Sequence, residues 1–223
     1  MKKYHIIVVS VMAMLFSFSA NTATETAGFS ITRLQYDGGG DWYSDPSSLP
    51  NLLEFISNNT NIKVNQVEMR ARIGDDIFNS SSYLYITGHG NVKFSGKEAD
   101  ILRNHLLAGA FMHADDNYGM DKYFKREMKK VFPDKEWIEI PTSHDIFNIM
   151  YKFPNGLPKI HQHDNNRPQA LGIFHDGRLI VLYTYESDLG DGWEDRDVHN
   201  NPEDVRGMAL KMGTNIVIHS LIN

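Results

Sequence analysis

"AGAFMHADDNYGMDKYF", residues 108–124, decides how the rest of the chain reads. Small and apolar residues lead into His113, two adjacent carboxylates follow at Asp115 and Asp116, and a fresh amphipathic pattern begins after Gly119. A short apolar run bounded by glycine and polar residues reads as a buried strand. Met120, Phe124, Met128 and Val131 then recur at helical spacing. A strand that ends on a histidine and two acids and turns at once into a helix is half of a βα unit, with its polar chemistry at the strand's C-terminal end.

The same alternation extends in both directions. "FSITRLQY" (29–36) reads as a strand that stops at Gly38-Gly39-Gly40, and Leu49, Leu52, Leu53 and Ile56 mark a helix. "IKVNQVEM" (62–69) is expected as a second strand and "SYLYITG" (82–88) as a third, ending at Gly88-His89-Gly90. Ser95 and Glu98 have capping-box spacing, and Ile101, Leu102, His105 and Leu106 form the stripe of the helix they open, which Gly109 closes. "AFMHA" is the fourth strand and "WIEIP" a fifth. Strand and helix in this order predict an α/β fold, a three-layer sandwich around a mostly parallel sheet.

The second half changes character. "ALGIF" and "RLIVLYTYE" flank His175-Asp176-Gly177, and Asp-Gly suits a type I′ hairpin turn. Asn201-Pro202 is expected to open a last helix, with Gly213 ending or kinking it. Residues 142–200 read as a C-terminal hairpin elaboration folded over the ligand edge of the sheet.

"MKKYHIIVVSVMAMLFSFSA" has two lysines before an apolar run too short to span a membrane, which is a secretory signal pattern. The organisation expected is a signal peptide over 1–23, a short tail over 24–28 and one domain over 29–223. The destination is periplasmic or extracellular, with no stable transmembrane anchor after cleavage. The chain has no cysteine, which excludes a thiol nucleophile, a thiolate metal site and disulfides. It carries 22 basic and 28 acidic residues, and removing the signal takes away two lysines and no acid. That balance argues against nucleic acid as a partner. A small polar molecule or a cation is easier to accommodate.

In open α/β sheets ligands collect beyond the C-terminal strand ends. Three loops meet there on this reading. They carry Asp41 and Trp42, then His89 and Asn91, then His113, Asp115, Asp116 and Asn117. Asp116 or Asn117 could equally cap the next helix. "PKIHQHDNN" (158–166) adds His161 and His163, whose spacing puts both imidazoles on one side of an extended segment. With His113 and Asp115 they suit a divalent metal such as Zn, Fe or Mn. "YESDLGDGWEDRDVH" (185–199) packs Asp188, Asp191, Glu194, Asp195 and Asp197 into one stretch without EF-hand spacing, and its plain alternative is a solvated acidic loop. Trp193 is costly to expose there, and Trp42 invites the same reading; both are candidates for a pocket wall. His89 or His113 is the candidate acid or base, and Asp115 the group that orients it or holds a metal.

Several runs, "RLQYDGGGDWY", "YITGHGNVKFS", "FMHADDNYGMD", "GLPKIHQHD" and "YTYESDLGDGWED", together resemble the DUF4159 family in the same order across nearly the whole chain. The resemblance implies a flavodoxin-like sheet related to class I glutamine amidotransferase-like and ThuA-like proteins. It brings no mechanism, because amidotransferases place a cysteine after the third strand and this chain has Gly88-His89-Gly90 there. Larger family members carry a membrane-anchored region ahead of the domain. The function expected is binding of a small polar ligand or divalent metal in a His/Asp cleft, with hydrolysis or isomerisation of that ligand as the candidate reactions. The alternatives are a non-enzymatic module that recognises an envelope protein, and a ThuA-like sugar-processing protein.

Overall fold

The computed structural model describes residues 28–163 and 166–223. The signal expected over 1–23, most of the tail over 24–28, and Asp164 lie outside the described residues. Strands β1 (Thr32–Leu34), β2 (Met69–Ala71), β3 (Tyr83–Ile86), β4 (Phe111–Asp115), β5 (Ile138–Glu139), β6 (Gln169–His175) and β7 (Arg178–Tyr185) form one sheet in the order β2-β1-β3-β4-β7-β6-β5. The pairs β1·β2, β1·β3, β3·β4 and β4·β7 are parallel, whereas β5·β6 and β6·β7 are antiparallel. Only β6 therefore runs against the others, and the sheet is mixed.

Helices cover both faces. On one face α1 (Ser48–Asn59) and the long α7 (Glu203–Ile222) bury Leu49, Leu52, Ile56 and Ile216 with the short α5 (Leu189–Trp193). On the other, α3 (Gly96–Leu107) and α4 (Asp121–Val131) bury Leu102, Leu106, Phe124 and Met128 against β3, β4 and β7. Each helix packs one apolar stripe, as its periodicity requires. Ser95 and Glu98 form the capping box read from the sequence, and Gly109 takes the positive φ that ends α3. Two shorter helices, α2 (Asp76–Ser80) and α6 (Arg196–His199), complete the set.

Three expectations are corrected. The second strand lies at Met69–Ala71, beyond most of the expected 62–69, because Val64 makes only an isolated bridge with Phe29. The β6–β7 hairpin turns at Asp176-Gly177, both at positive φ, but it belongs to the sheet: β7 is inserted beside β4. What folds over the strand ends is the pair of segments around it, tied together by Ile160 N–H to the Ser187 carbonyl (2.9 Å) and the Ser187 hydroxyl to the Pro158 carbonyl (2.6 Å). Finally, α7 does not end at Gly213 but runs on to Ile222.

Gly213 has a packing reason instead. A β-carbon there would meet Leu52 Cδ1 at 2.7 Å and Trp193 Cζ2 at 2.8 Å. Helix propensity favours alanine over glycine by about 1 kcal/mol, and overpacking a filled core costs about 1–3 kcal/mol. Gly213→Ala is therefore expected to destabilise the fold by up to about 2 kcal/mol in urea denaturation. A stabilised variant would show that the α5–α7 contact is loose.

Among the described residues no helix is long and apolar enough to cross a membrane.

Candidate functional site

Parallel pairing of β4 with β7 sets Asp115 opposite Thr184, so the segments that leave the two strands emerge side by side. Asp115 is fully buried and serves as the anchor between them. It accepts the backbone N–H of Leu189 (3.3 Å) and of Gly190 (2.6 Å) and the hydroxyls of Thr184 and Tyr85. Burial outweighs these bonds and pushes its carboxyl up to about 7. By holding the start of α5 it fixes where Asp188 and Asp191 stand.

Those two acids meet the His-x-His segment. His161, His163, Asp188 and Asp191 each place one ligand atom within 4.8 Å of all the others. His161 Nδ1 lies 2.7 Å from Asp191 Oδ2. His163 Nε2 comes within 2.5 Å of Asp188 Oδ2, yet both Asp188 oxygens lack a hydrogen bond in a side chain only 1% exposed. Two imidazoles and two carboxylates at this spacing are a donor set for a divalent transition metal. The electrostatics agree. Burial, reinforced by Asp115, Asp191, Asp116 and Asp45, pushes the Asp188 carboxyl up to about 10. Burial and the neighbouring His161 hold His163 below the usual histidine range. Neutral imidazole is the ligating form, and Asp188 so placed favours its protonated form unless a cation lies beside it.

The surrounding backbone is held in an uncommon state. Asp45, Glu186, Asp188 and Asn200 all have positive φ without being glycine. Such conformations cost about 1–3 kcal/mol each and collect where function demands a fixed geometry. Buried Arg33 donates to the carbonyls of Ser44 (2.7 Å) and Asp45 (3.1 Å), and Asn117 donates to Asp45 Oδ2 (2.8 Å), so two elements pin the Asp45 loop. Asn117 thus positions another acid.

Next to this group a cavity of about 560 Å³ opens, lined by Gly90, Asp116, Tyr118, Tyr123, Tyr185 and Glu186 among others. Tyr118 stacks on His163 with ring centroids 4.9 Å apart, which joins the two features. Asp116 is 4% exposed, its Oδ1 has no hydrogen-bond partner, and burial pushes its carboxyl up to about 7. Beside Gly90, Asp41 accepts from the His89 backbone N–H and holds His89 Nδ1 at 3.0 Å, an exposed Asp–His pair.

The structure separates other residues from this cluster. His113 is the middle residue of β4 and is fully buried. Its Nε2 contacts Thr184 Oγ1 (3.0 Å), its Nδ1 the Tyr83 hydroxyl (3.4 Å), and the Tyr85 and Trp193 rings enclose it. Burial lowers its pKa to about 3. It does not share a metal-sized space with His161 and His163, because strand pairing turns it into the core. Asp115 likewise faces α5 rather than the histidines. Trp193 is a core residue that donates to the Ala209 carbonyl (2.8 Å). Trp42 is half-buried against Tyr43, and Asn91 bridges the Gly38 carbonyl and Arg126. The acidic stretch 185–199 is not uniformly solvated, since Asp188, Asp191 and Glu194 are buried. Asp191 and His199 went unselected in the sequence. The available signal was the place of Asp191 between two glycines, three residues after Asp188 and two before the costly-to-expose Trp193.

Comparison with curated proteins finds no match. A family model described as a domain of unknown function, DUF4159, matches residues 30–221, which is nearly all of the described chain. The protein belongs to the DUF4159 family.

Proposed function

We propose that this DUF4159 domain binds a divalent transition-metal ion through His161, His163, Asp188 and Asp191, and that it hydrolyses a small polar substrate seated in the adjoining cavity. The observation that carries this reading is the convergence of four ligand atoms around a buried carboxylate whose Oδ1 has no polar partner and whose Oδ2 meets only the His163 imidazole. Held by these four residues, such an ion would supply Lewis-acid chemistry: activation of water near neutral pH and polarisation of an ester or amide. The chain supplies the rest. Asp116, with a pKa near 7 and a place in the cavity wall, is suited to carry a proton in either direction at neutral pH. Asp41 orients His89 through Nδ1, which directs its chemistry to Nε2. Tyr118 holds the face of the His163 ring and forms a wall that the metal group and the cavity share.

The strand order β2-β1-β3-β4 supports a flavodoxin-like ancestry with a hairpin and a short strand added at one edge. Export as a periplasmic or extracellular protein completes the reading, on the strength of the N-terminal signal pattern.

Elemental analysis of protein purified without a histidine tag tests the metal. At least one equivalent of Zn, Mn or Fe is expected, with a rise in melting temperature when the chelated protein is reloaded. Protein that binds no divalent ion in equilibrium dialysis and shows no thermal shift would remove the reading.

A further inference from the structure

We infer that a second divalent cation sits beside the first, held by Asp45, Asp191 and His199, with the Asp191 carboxylate bridging the two. This deepens the proposed function and rests on the first ion being bound by His161, His163, Asp188 and Asp191. Asp45, Asp191 and His199 form a separate group whose ligand atoms also lie within 4.8 Å of one another. The three come from the loop after β1, from α5 and from the end of α6, so their meeting is a tertiary arrangement and not a charge run.

Asp191 is the shared member, and it presents different oxygens to the two groups. Oδ2 faces His161 Nδ1 at 2.7 Å, while Oδ1 faces His199 Nε2 at 3.4 Å. The second distance is long for a charged hydrogen bond. It is close to the roughly 3.3 Å between two donors of one tetrahedral ion, whereas the 2.7 Å to His161 is a hydrogen-bonded spacing that would widen when an ion enters. The His161 and His199 rings stand 6.0 Å apart, far enough to serve separate ions. Asp191 is only 7% exposed, and each of its two oxygens faces a different imidazole. Asp45 is held for its part by the bond from Asn117 to Oδ2 and by Arg33 on its carbonyl, the outer contacts that orient a ligating carboxylate. Two ions that share a carboxylate stand about 3.5–4 Å apart, the spacing of hydrolytic two-metal centres.

The test is metal stoichiometry. Tag-free chelated protein is dialysed to equilibrium against Mn²⁺, and bound ion is counted together with the electron paramagnetic resonance spectrum. The wild type is expected to bind two equivalents with a spin-coupled spectrum. His199→Ala and His199→Gln, changes at a partly exposed helix end, are expected to bind one equivalent with the spectrum of isolated Mn²⁺. Circular dichroism checks that both variants are folded. One equivalent in the wild type, unchanged in the His199 variants, overturns the second site and leaves the first standing. Two uncoupled equivalents that the His199 variants retain also overturn it. Zero equivalents overturns the proposed function itself.

Discussion

Asp188→Asn is expected to make the metal-free protein more stable at pH 8 and to abolish its stabilisation by divalent cations. The sign follows from the folded carboxyl, which burial and its acidic neighbours push up to about 10 from an ordinary value of 3.8. A raised folded pKa means that the fold prefers the protonated acid. The stability associated with it is fully present below pH 4 and is lost as pH rises toward 10, at about 1.4 kcal/mol per pH unit. Asp115 and Asp116, raised to about 7, add to the loss between pH 4 and 7. His113 and His219, lowered to about 3 and about 4, act oppositely and contribute stability that disappears as pH falls through the same range. Between pH 7 and 9 the histidines have nearly finished titrating and Asp115 and Asp116 complete only the second half of theirs, so most of the remaining slope belongs to Asp188. Chelated wild type is expected to lose about 3 kcal/mol over that interval. For a domain of this size that is roughly 6–12 °C in melting temperature. Asp188→Asn should lose most of that slope, and so should wild type loaded with metal, because the cation keeps the carboxylate ionised. A variant that retains the wild-type slope would show that another group carries the titration.

The fold was legible where local chemistry and tertiary demand agree. The Ser95–Glu98 capping box, the Asp176-Gly177 turn and the stripe Met120, Phe124, Met128, Val131 each state one conformation, and each appears in the structure. The position of β7 was not legible. A hairpin sequence fixes its own turn and pairing, but which existing strand it joins depends on the exposed edge of β4, whose sequence does not name its partner. Gly213 misled for a similar reason. Glycine in a helix reads as a weak point until the opposing side chain is known, and here that side chain is Trp193.

The site was legible at the level of loops and not of side chains. Polar residues were placed correctly at the C-terminal edge, since parallel strands dictate that edge. What failed was the assignment of faces within a strand. His113 and Asp115 alternate with Met112 and Ala114 and so share one face of β4, but that face lies under α5 and α7, which the sequence cannot dock. A histidine beside two acids therefore reads as a mouth and turns out to be a floor. The converse error concerned Asp191. In a run of acids it resembles solvated surface, and only the five-residue α5, anchored through Asp115, takes it inside.

That floor makes Trp193→Ala the most disruptive single substitution expected in this chain. The indole is fully buried at the end of α5, donates to the Ala209 carbonyl, and packs on Tyr85 (5.9 Å), His113 (6.0 Å) and Gly213. Truncating a buried tryptophan costs about 3–5 kcal/mol, a large part of the stability of a domain held without disulfides. Trp193→Phe keeps most of the apolar area and gives up the indole hydrogen bond, for about 1–2 kcal/mol. The order wild type, Phe, Ala in urea midpoint tests the core reading directly. The same pair separates support from ligation. Trp193 touches none of the four metal-group side chains by a polar atom, so Trp193→Phe should retain metal stoichiometry while Asp188→Asn loses it. If Trp193→Ala instead stayed within about 1 kcal/mol of wild type, the indole would not be what holds α5 to α7, and the route by which the fold fixes Asp188 and Asp191 would have to run through Asp115 alone.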